Sequence, residues 1–303
     1  MALAKRIFLF LAINFLVVLM VTLVLDLLHV KPFLTAYGLN LRSLAIFCFV
    51  WGMGGALVSL SLSRIMAKWL LNVEVIDPQT KDPELRTLIQ SVQRLSRLAN
   101  IPLPQIGVYR SNEVNAFATG PTRSRALVAV STALLYKMKE KELDGVIGHE
   151  ISHIANGDMV TMTLLQGVVN AFVMFLARVF AWLLSGIGRG RSSQSSGGSY
   201  MSYMLFVYLF EVVFMILGTL VIAAYSRFRE FRADRGGAAV AGKESMIAAL
   251  AALKSFQENR DPRTDKPALA AFKISYTGKR GLLSLFASHP PLDERIARLE
   301  KNA

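Results

Sequence analysis

Cysteine is almost absent from this chain. Cys48 stands alone among 303 residues and lies inside an apolar run. A single cysteine excludes a disulfide framework and any thiolate metal site. Histidine is nearly as scarce, with four in all, and acidic residues are in deficit, 21 against 34 Lys and Arg, for a formal charge of +13. So basic a balance raises nucleic acid as a partner. No zinc-finger spacing or comparable motif accompanies it, however. The basic residues also cluster beside apolar runs (Lys5, Arg6; Arg64, Lys68; Arg227, Arg229, Arg232, Arg235), where anionic lipid headgroups are the simpler partner. No nucleic-acid partner is expected, and no internal repeat is visible.

Apolar residues are in excess, at 53%, with a mean hydropathy of +0.42. Four runs carry them: Ile7–Leu28, Leu44–Leu62, Thr163–Ile187 and Met204–Tyr225. Each is long enough to cross a bilayer, and a lipid bilayer is the expected surroundings. The first exceeds the apolar core of a cleaved signal peptide, so it reads as an anchor held by Lys5 and Arg6. Gly52, Gly54, Gly55 and Ala56 in the second suit close helix packing in lipid. The Gly/Ser-rich stretch from Gly186 to Ser199 reads as a flexible connection between the third and fourth. Positive flanks place both termini, Asn72–Val160 and Arg227–Ala303 in the cytoplasm, with Arg189 and Arg191 weighing the other way.

Between and after the runs the sequence reads as folded, water-exposed protein. Asp82-Pro83 has the form of a helix start, with Asp as cap and Pro at the first helical position. Leu85, Leu88, Ile89, Val92, Leu95 and Leu98 then form one apolar stripe. Strands are expected at Gln105–Tyr109, Val114–Thr119 and Leu127–Val130, followed by a helix capped by Ser131 or Thr132. Another helix runs from about Lys141 to the Asn156-Gly157-Asp158 stop. Glu244–Phe256 reads as a helix, Asn259–Ser288 as a loop, and Pro291 onward as a helix with Leu292, Ile296 and Leu299 on one side.

The helix from Lys141 holds the stretch that organises the rest, His149-Glu150-Ile151-Ser152-His153. Residues four apart lie one above the other on a helix, so both imidazoles share a face. Two at that spacing can bind one zinc ion, and Glu150 beside them can take a proton from an activated water. A hydrolytic zinc needs a third protein ligand. The extended motif with glycine and histidine further on is excluded, because Asn156 and Met159 occupy those positions. The third ligand is then a remote carboxylate or His289. Glu230 fits, since Asp234 four residues later shares its helix face, so that one can bind metal while the other orients a ligand histidine.

HEISH, FREFRAD, NAFATG at Asn115–Gly120 and SHPPLDER at Ser288–Arg295 together resemble the HtpX-type bacterial membrane metalloproteases. They are more distantly similar to the CaaX prenyl endopeptidases. The resemblance covers essentially the whole chain. It implies a mainly α membrane protein with about four transmembrane helices and a zincin-like α+β catalytic domain with a small sheet. It implies one Zn2+ per chain held by His149, His153 and Glu230, with Glu150 as catalytic base and Asp234 in support. The implied setting is the bacterial inner membrane, and the implied substrates are misfolded or damaged membrane proteins. Domain limits of 1–71 and 163–226 for two membrane hairpins, and 72–162 and 227–303 for the catalytic parts, follow the runs. Asn115, Ala116 and Phe117 lie on a strand whose edge can pair with an extended peptide. His289 and Arg295 flank a proline pair and can hold the oxyanion of peptide hydrolysis. Had His289 instead been a fourth ligand, a closed structural zinc in a non-catalytic membrane adaptor would follow.

One further expectation concerns charges inside apolar runs. Arg178 and Glu211 each lie six residues from the hairpin end of their run. Antiparallel helices would bring them level, as an ion pair.

Overall fold

The computed structural model describes residues 27, 34–35, 38–187, 196–258 and 282–301. In chain order it contains a short hairpin of β1 (Leu34–Thr35) and β2 (Gly38–Leu39), then helix α1 (Leu41–Leu70), β3 (Glu74–Val75) and α2 (Pro83–Leu98). Next come β4 (Gln105–Tyr109), β5 (Ala116–Thr119), β6 (Leu127–Ser131), α3 (Thr132–Lys137) and α4 (Glu140–Asn156). Helices α5 (Asp158–Ile187), α6 (Ser196–Ala241), α7 (Lys243–Glu258) and α8 (Leu292–Lys301) complete it. Two compact units share the chain, one drawn from Met1–Ser59 and Thr163–Ile222, the other from Leu60–Met162 and Ala223–Ala303.

Among the described residues three helices are long and apolar enough to cross a membrane: Leu41–Leu70, Asp158–Ser185 and Met201–Ala241. The run Ile7–Leu28 lies outside the described residues apart from Leu27, so three spans stand where about four were expected. Within the first unit α1 and α5 meet at small residues. A Cβ on Gly52 would sit 2.7 Å from the main-chain nitrogen of Ala171, whereas one on Gly55 would meet nothing within 4 Å. Leu205, Leu209, Val212 and Ile216 of α6 are exposed, as apolar side chains facing lipid would be. The Gly/Ser-rich connection is shorter than its composition suggests, because α6 already begins at Ser196.

The second unit is built on a four-stranded mixed sheet, ordered β3-β4-β6-β5. Every residue of β6 is buried, which is why it takes a central place, parallel to β4 and antiparallel to β5. That leaves β5 as an edge strand. Leu88, Val92 and Leu95 of α2, Val128 and Val130 of β6, and Ile147, Ile151 and Ile154 of α4 close one core with Leu250 of α7. Asp82 caps α2 as its residue type demands, accepting from the amides of Glu84 and Leu85. Leu98, placed on the buried stripe by periodicity, is 61% exposed, since the helix ends there before completing another turn on the core. The strand β3 has only two residues and no sequence pattern of its own.

Gly157 closes α4 in the left-handed conformation with φ 68°, and α5 starts at the next residue. The αL turn suits glycine because it has no Cβ to clash. Gly145 serves a different purpose: a Cβ there would lie 2.3 Å from Ser245 O on α7. Gly145→Ala is therefore expected to destabilise the protein by about 1–3 kcal/mol through overpacking. Gly55→Ala should be neutral or slightly stabilising. Thermal unfolding of the two variants in the same detergent checks this; equal melting temperatures would contradict the close approach.

Candidate metal centre

Helix α4 carries His149, Glu150 and His153, all buried. The two rings stand edge to face with centroids 4.6 Å apart, and their Nε2 atoms approach to 3.1 Å. Helix α6 delivers Glu230, which has no exposed surface. Its Oε2 lies 3.3 Å from His149 Nε2 and its Oε1 3.3 Å from His153 Nε2. Three ligands bound to one zinc at about 2.0–2.1 Å with tetrahedral angles would stand about 3.3–3.4 Å apart. The two Nε2 atoms, and each of them with the nearer Glu230 oxygen, come close to that spacing, and two imidazoles with one carboxylate are a donor set zinc accepts. Among the described residues these three form the one group of potential ligands close enough to hold an ion.

A second ring of charges fixes the histidines. His149 Nδ1 lies 2.9 Å from Asp234 Oδ1, and His153 Nδ1 lies 2.7 Å from Asp158 Oδ2. Each carboxylate accepts a hydrogen bond from Nδ1–H and so turns Nε2 toward Glu230. Asp234 is gripped by Arg295 through two bonds, Nε to Oδ2 at 2.8 Å and Nη2 to Oδ1 at 2.6 Å. Asp158 is met by Arg232. Asp234 was legible from its spacing to Glu230. Asp158 and Arg232 were not, and the one signal for Asp158 was its place just after Gly157, where the left-handed turn swings it beside His153.

His289 and Arg295 reach the same centre. His289 Nδ1 stands 2.8 Å from Glu230 Oε2, and Arg295 Nη1 lies 3.8 Å from the same oxygen with no hydrogen-bond partner among the described residues. The segment before His289 is held by Arg227, which donates to the carbonyls of Leu285 and Ala287 at 2.8 and 2.9 Å. Arg229 donates to Glu230 at 3.1 Å. Three of the four arginines in the Arg227–Arg235 stretch are thus turned onto the protein, because buried carboxylates and carbonyls compete for them; Arg235 alone of these is exposed.

Asn115, Ala116 and Phe117 are buried as side chains. Asn115 O accepts from Ser131 N at 2.9 Å, so its main chain faces β6. Strict alternation then turns the main-chain groups of Ala116 and Ala118 toward the open edge, with Phe117 paired inward to Ala129. Helix α4 packs closely on α6, where a Cβ on Gly237 would come within 3.0 Å of His149 N. That absence of side chain lets Glu230 and Asp234 reach the histidines.

A model of peptidase family M48 matches residues 81–303. The chain belongs to this family. The M48 chain is 48% identical over 300 residues to the Protease HtpX homolog of Methylacidiphilum infernorum, covering 98% of each. It is 47% identical over 299 residues to Protease HtpX of Chromohalobacter salexigens, again covering 98% of each. Against the Protease HtpX homolog of Bacillus subtilis it is 47% identical over 305 residues, covering 98% of this chain and 99% of that one. A crystal structure of S. mikatae Ste24p has the same fold, with a TM-score of 0.63 at 17% identity over 98% of this chain and 65% of that one. The M48 chain is a membrane metallopeptidase.

The metal-free site holds a proton that a metal must displace. Burial disfavours a charged His149, but hydrogen bonds to Asp234 and Glu230 outweigh it and raise the imidazole from 6.5 to about 9. Below that pH Nε2 is protonated in the free protein, so metal uptake releases a proton. Apparent zinc affinity should rise by about tenfold per pH unit up to roughly pH 9 and then level off. Titration calorimetry in buffers of different ionisation enthalpy checks it. A heat independent of buffer would show that no proton is exchanged.

Proposed function

We propose that the protein is a zinc-dependent endopeptidase with His149, His153 and Glu230 as the metal ligands. The observation that carries this reading is the approach of the two imidazole Nε2 atoms to each other and of each to one oxygen of Glu230, at 3.1 to 3.3 Å, spacings that suit a single zinc ion. Zinc bound there supplies a Lewis acid that acidifies a water and polarises a carbonyl. Glu150 takes the proton of the attacking water and gives it to the leaving amine as the C–N bond breaks. His289 and Arg295, both on the Glu230 side of the site, supply donors for the developing oxyanion. An extended substrate adds to the β5 edge, bonding to the main chain of Ala116 and Ala118 on either side of the inward-paired Phe117. Recognition through backbone groups suits unfolded chains of varied sequence, and misfolded or damaged membrane proteins are the proposed substrates.

Residues 1–71 and 163–226 form the membrane hairpins of this reading, and 72–162 with 227–303 the catalytic part. Both termini and the catalytic part face the cytoplasm of a bacterial inner membrane, in keeping with Arg64 and Lys68 after the second run. His289 carries one alternative: it lies outside the group of three but bonds to Glu230 at 2.8 Å, and a turn of its ring toward the metal would make it a fourth ligand. The site would then be closed, as in a zinc-stabilised adaptor without activity.

Glu150→Gln keeps the shape of the side chain and removes the base. It is expected to retain one zinc per chain and to lose casein-type degradation by at least about a hundredfold. Metal analysis beside the degradation assay, with and without chelator, decides it. Substantial hydrolysis by the zinc-loaded variant would exclude Glu150 as the base.

A further inference from the structure

The ion pair expected between Arg178 and Glu211 forms at 2.8 Å and belongs to the first unit. In the second unit three bulky apolar side chains stay exposed near the segment that carries His289. Phe228 of α6 is 57% exposed, and Leu285 and Phe286 are 47% and 38% exposed. The last two end a short 3-10 helix, Leu282–Phe286, and Ser284 beside them is exposed and uncharged. Arg227 Nη1 donates to the carbonyls of Leu285 and Ala287 at 2.8 and 2.9 Å, which fastens this turn to α6.

The place of Arg227 on α6 indicates what covers them. The apolar run of α6 ends at Tyr225, in a helix long and apolar enough to cross a membrane. At about 1.5 Å per residue, Arg227 stands about 3 Å beyond that end and Phe228 about 4.5 Å. Headgroups add roughly 5–7 Å to each side of the hydrocarbon, so both Cα atoms fall within the headgroup layer. Any tilt of the helix only lowers that height. Side chains on a helix also lean toward its N-terminus, which for α6 is back toward the lipid. Tyr225 and Phe228, with ring centroids 6.4 Å apart, are the kind of aromatic pair that gathers at such a boundary. From there the chain climbs beside α6. Leu285 and Ala287 meet Arg227, His289 meets Glu230, and Arg295 meets Asp234. Leu285 and Phe286 are thus the lipid-side end of a strap that reaches the metal centre.

We propose that Phe228, Leu285 and Phe286 insert into the bilayer interface, so that lipid holds the strap from Ser284 to His289 against α6. The partner is the boundary between headgroups and acyl chains, where exposed apolar side chains on a short helical turn are buried. Lipid then fixes one end of the strap while the bonds from Arg295 to Asp234 fix the other. His289 is thereby kept at 2.8 Å from Glu230. Leu285 and Phe286 act as positioning residues for it. That consequence rests on the proposed role of His289 in peptide hydrolysis, whereas the anchor itself does not.

The test uses the full chain in nanodiscs of phosphatidylethanolamine and phosphatidylglycerol. Nitroxide labels are placed at Leu285→Cys and, as a water-facing control on α2, at Leu98→Cys, each in a Cys48→Ser background. Collisions with oxygen, which concentrates in lipid, and with a water-soluble nickel complex read the surroundings of each label. The oxygen-to-nickel ratio at position 285 is expected to exceed that at 98 by at least about threefold. Equal ratios would overturn the anchor. Hydrolysis of an unfolded casein-type substrate is then followed as kcat and KM separately. Leu285→Ser with Phe286→Ser is expected to lower kcat by about tenfold at unchanged KM and zinc content, and Phe286→Trp to stay near wild type. Wild-type kcat in the double variant would overturn the positioning role. A raised KM beside a water-exposed label would mark a peptide-docking surface instead and overturn the proposal. Should the double variant fail to insert, the labelled chains still decide the anchor. If the wild type hydrolyses no peptide, the proposed function fails, and the collision ratio alone decides whether the strap meets lipid.

Discussion

Glu230 has no exposed surface, and the arrangement around it answers the cost of burying that carboxylate. An unpaired charge in a protein interior costs several kcal/mol, so both oxygens must find partners. Oε1 faces His153 and Arg229, and Oε2 faces His149 and His289. The same logic repeats one layer out. Arg295, Asp234 and His149 form one chain of contacts, and Arg232, Asp158 and His153 form another. Each histidine is therefore held by an anion that is itself held by a cation. Removing any single member leaves a buried charge unmatched, which is why these positions act as a group.

The same constraint shapes the fold that carries them. Glu230 reaches the imidazoles only because α4 and α6 come together at Gly148, Gly236 and Gly237, where side chains would hold the helices apart. The sheet contributes less through chemistry than through placement. β6 is buried along its whole length and supports α4 from below, while β5 is left at the edge. Among the described residues three helices are long and apolar enough to cross a bilayer, as suits a membrane metallopeptidase of family M48.

Much of the site was legible in the sequence because its parts are local. His149, Glu150 and His153 announce themselves by helical spacing, and Glu230 with Asp234 by the same rule one helix later. The caps of α2, α3 and α4 follow from Asp82, Ser131 and Gly157 for equally local reasons. What stayed hidden depends on which surfaces meet in the folded chain. Asp158 looks like an ordinary residue after a glycine until His153 is placed beside it. Arg227, Arg229 and Arg232 look like a lipid-facing flank until the carbonyls near Ala287, Glu230 and Asp158 are seen to claim them. Leu98 obeys the periodicity of its helix and is still exposed, since the core ends before it does.

Whether the centre is open to substrate turns on His289, which stands beside Glu230 and could either serve the reaction or close the metal. Zinc-edge X-ray absorption on the purified, zinc-loaded protein and on His289→Ala tests this directly. The expected result is two nitrogen ligands with one or two oxygens, unchanged by the substitution. Loss of a nitrogen ligand in His289→Ala would contradict an open catalytic site and favour a closed structural one.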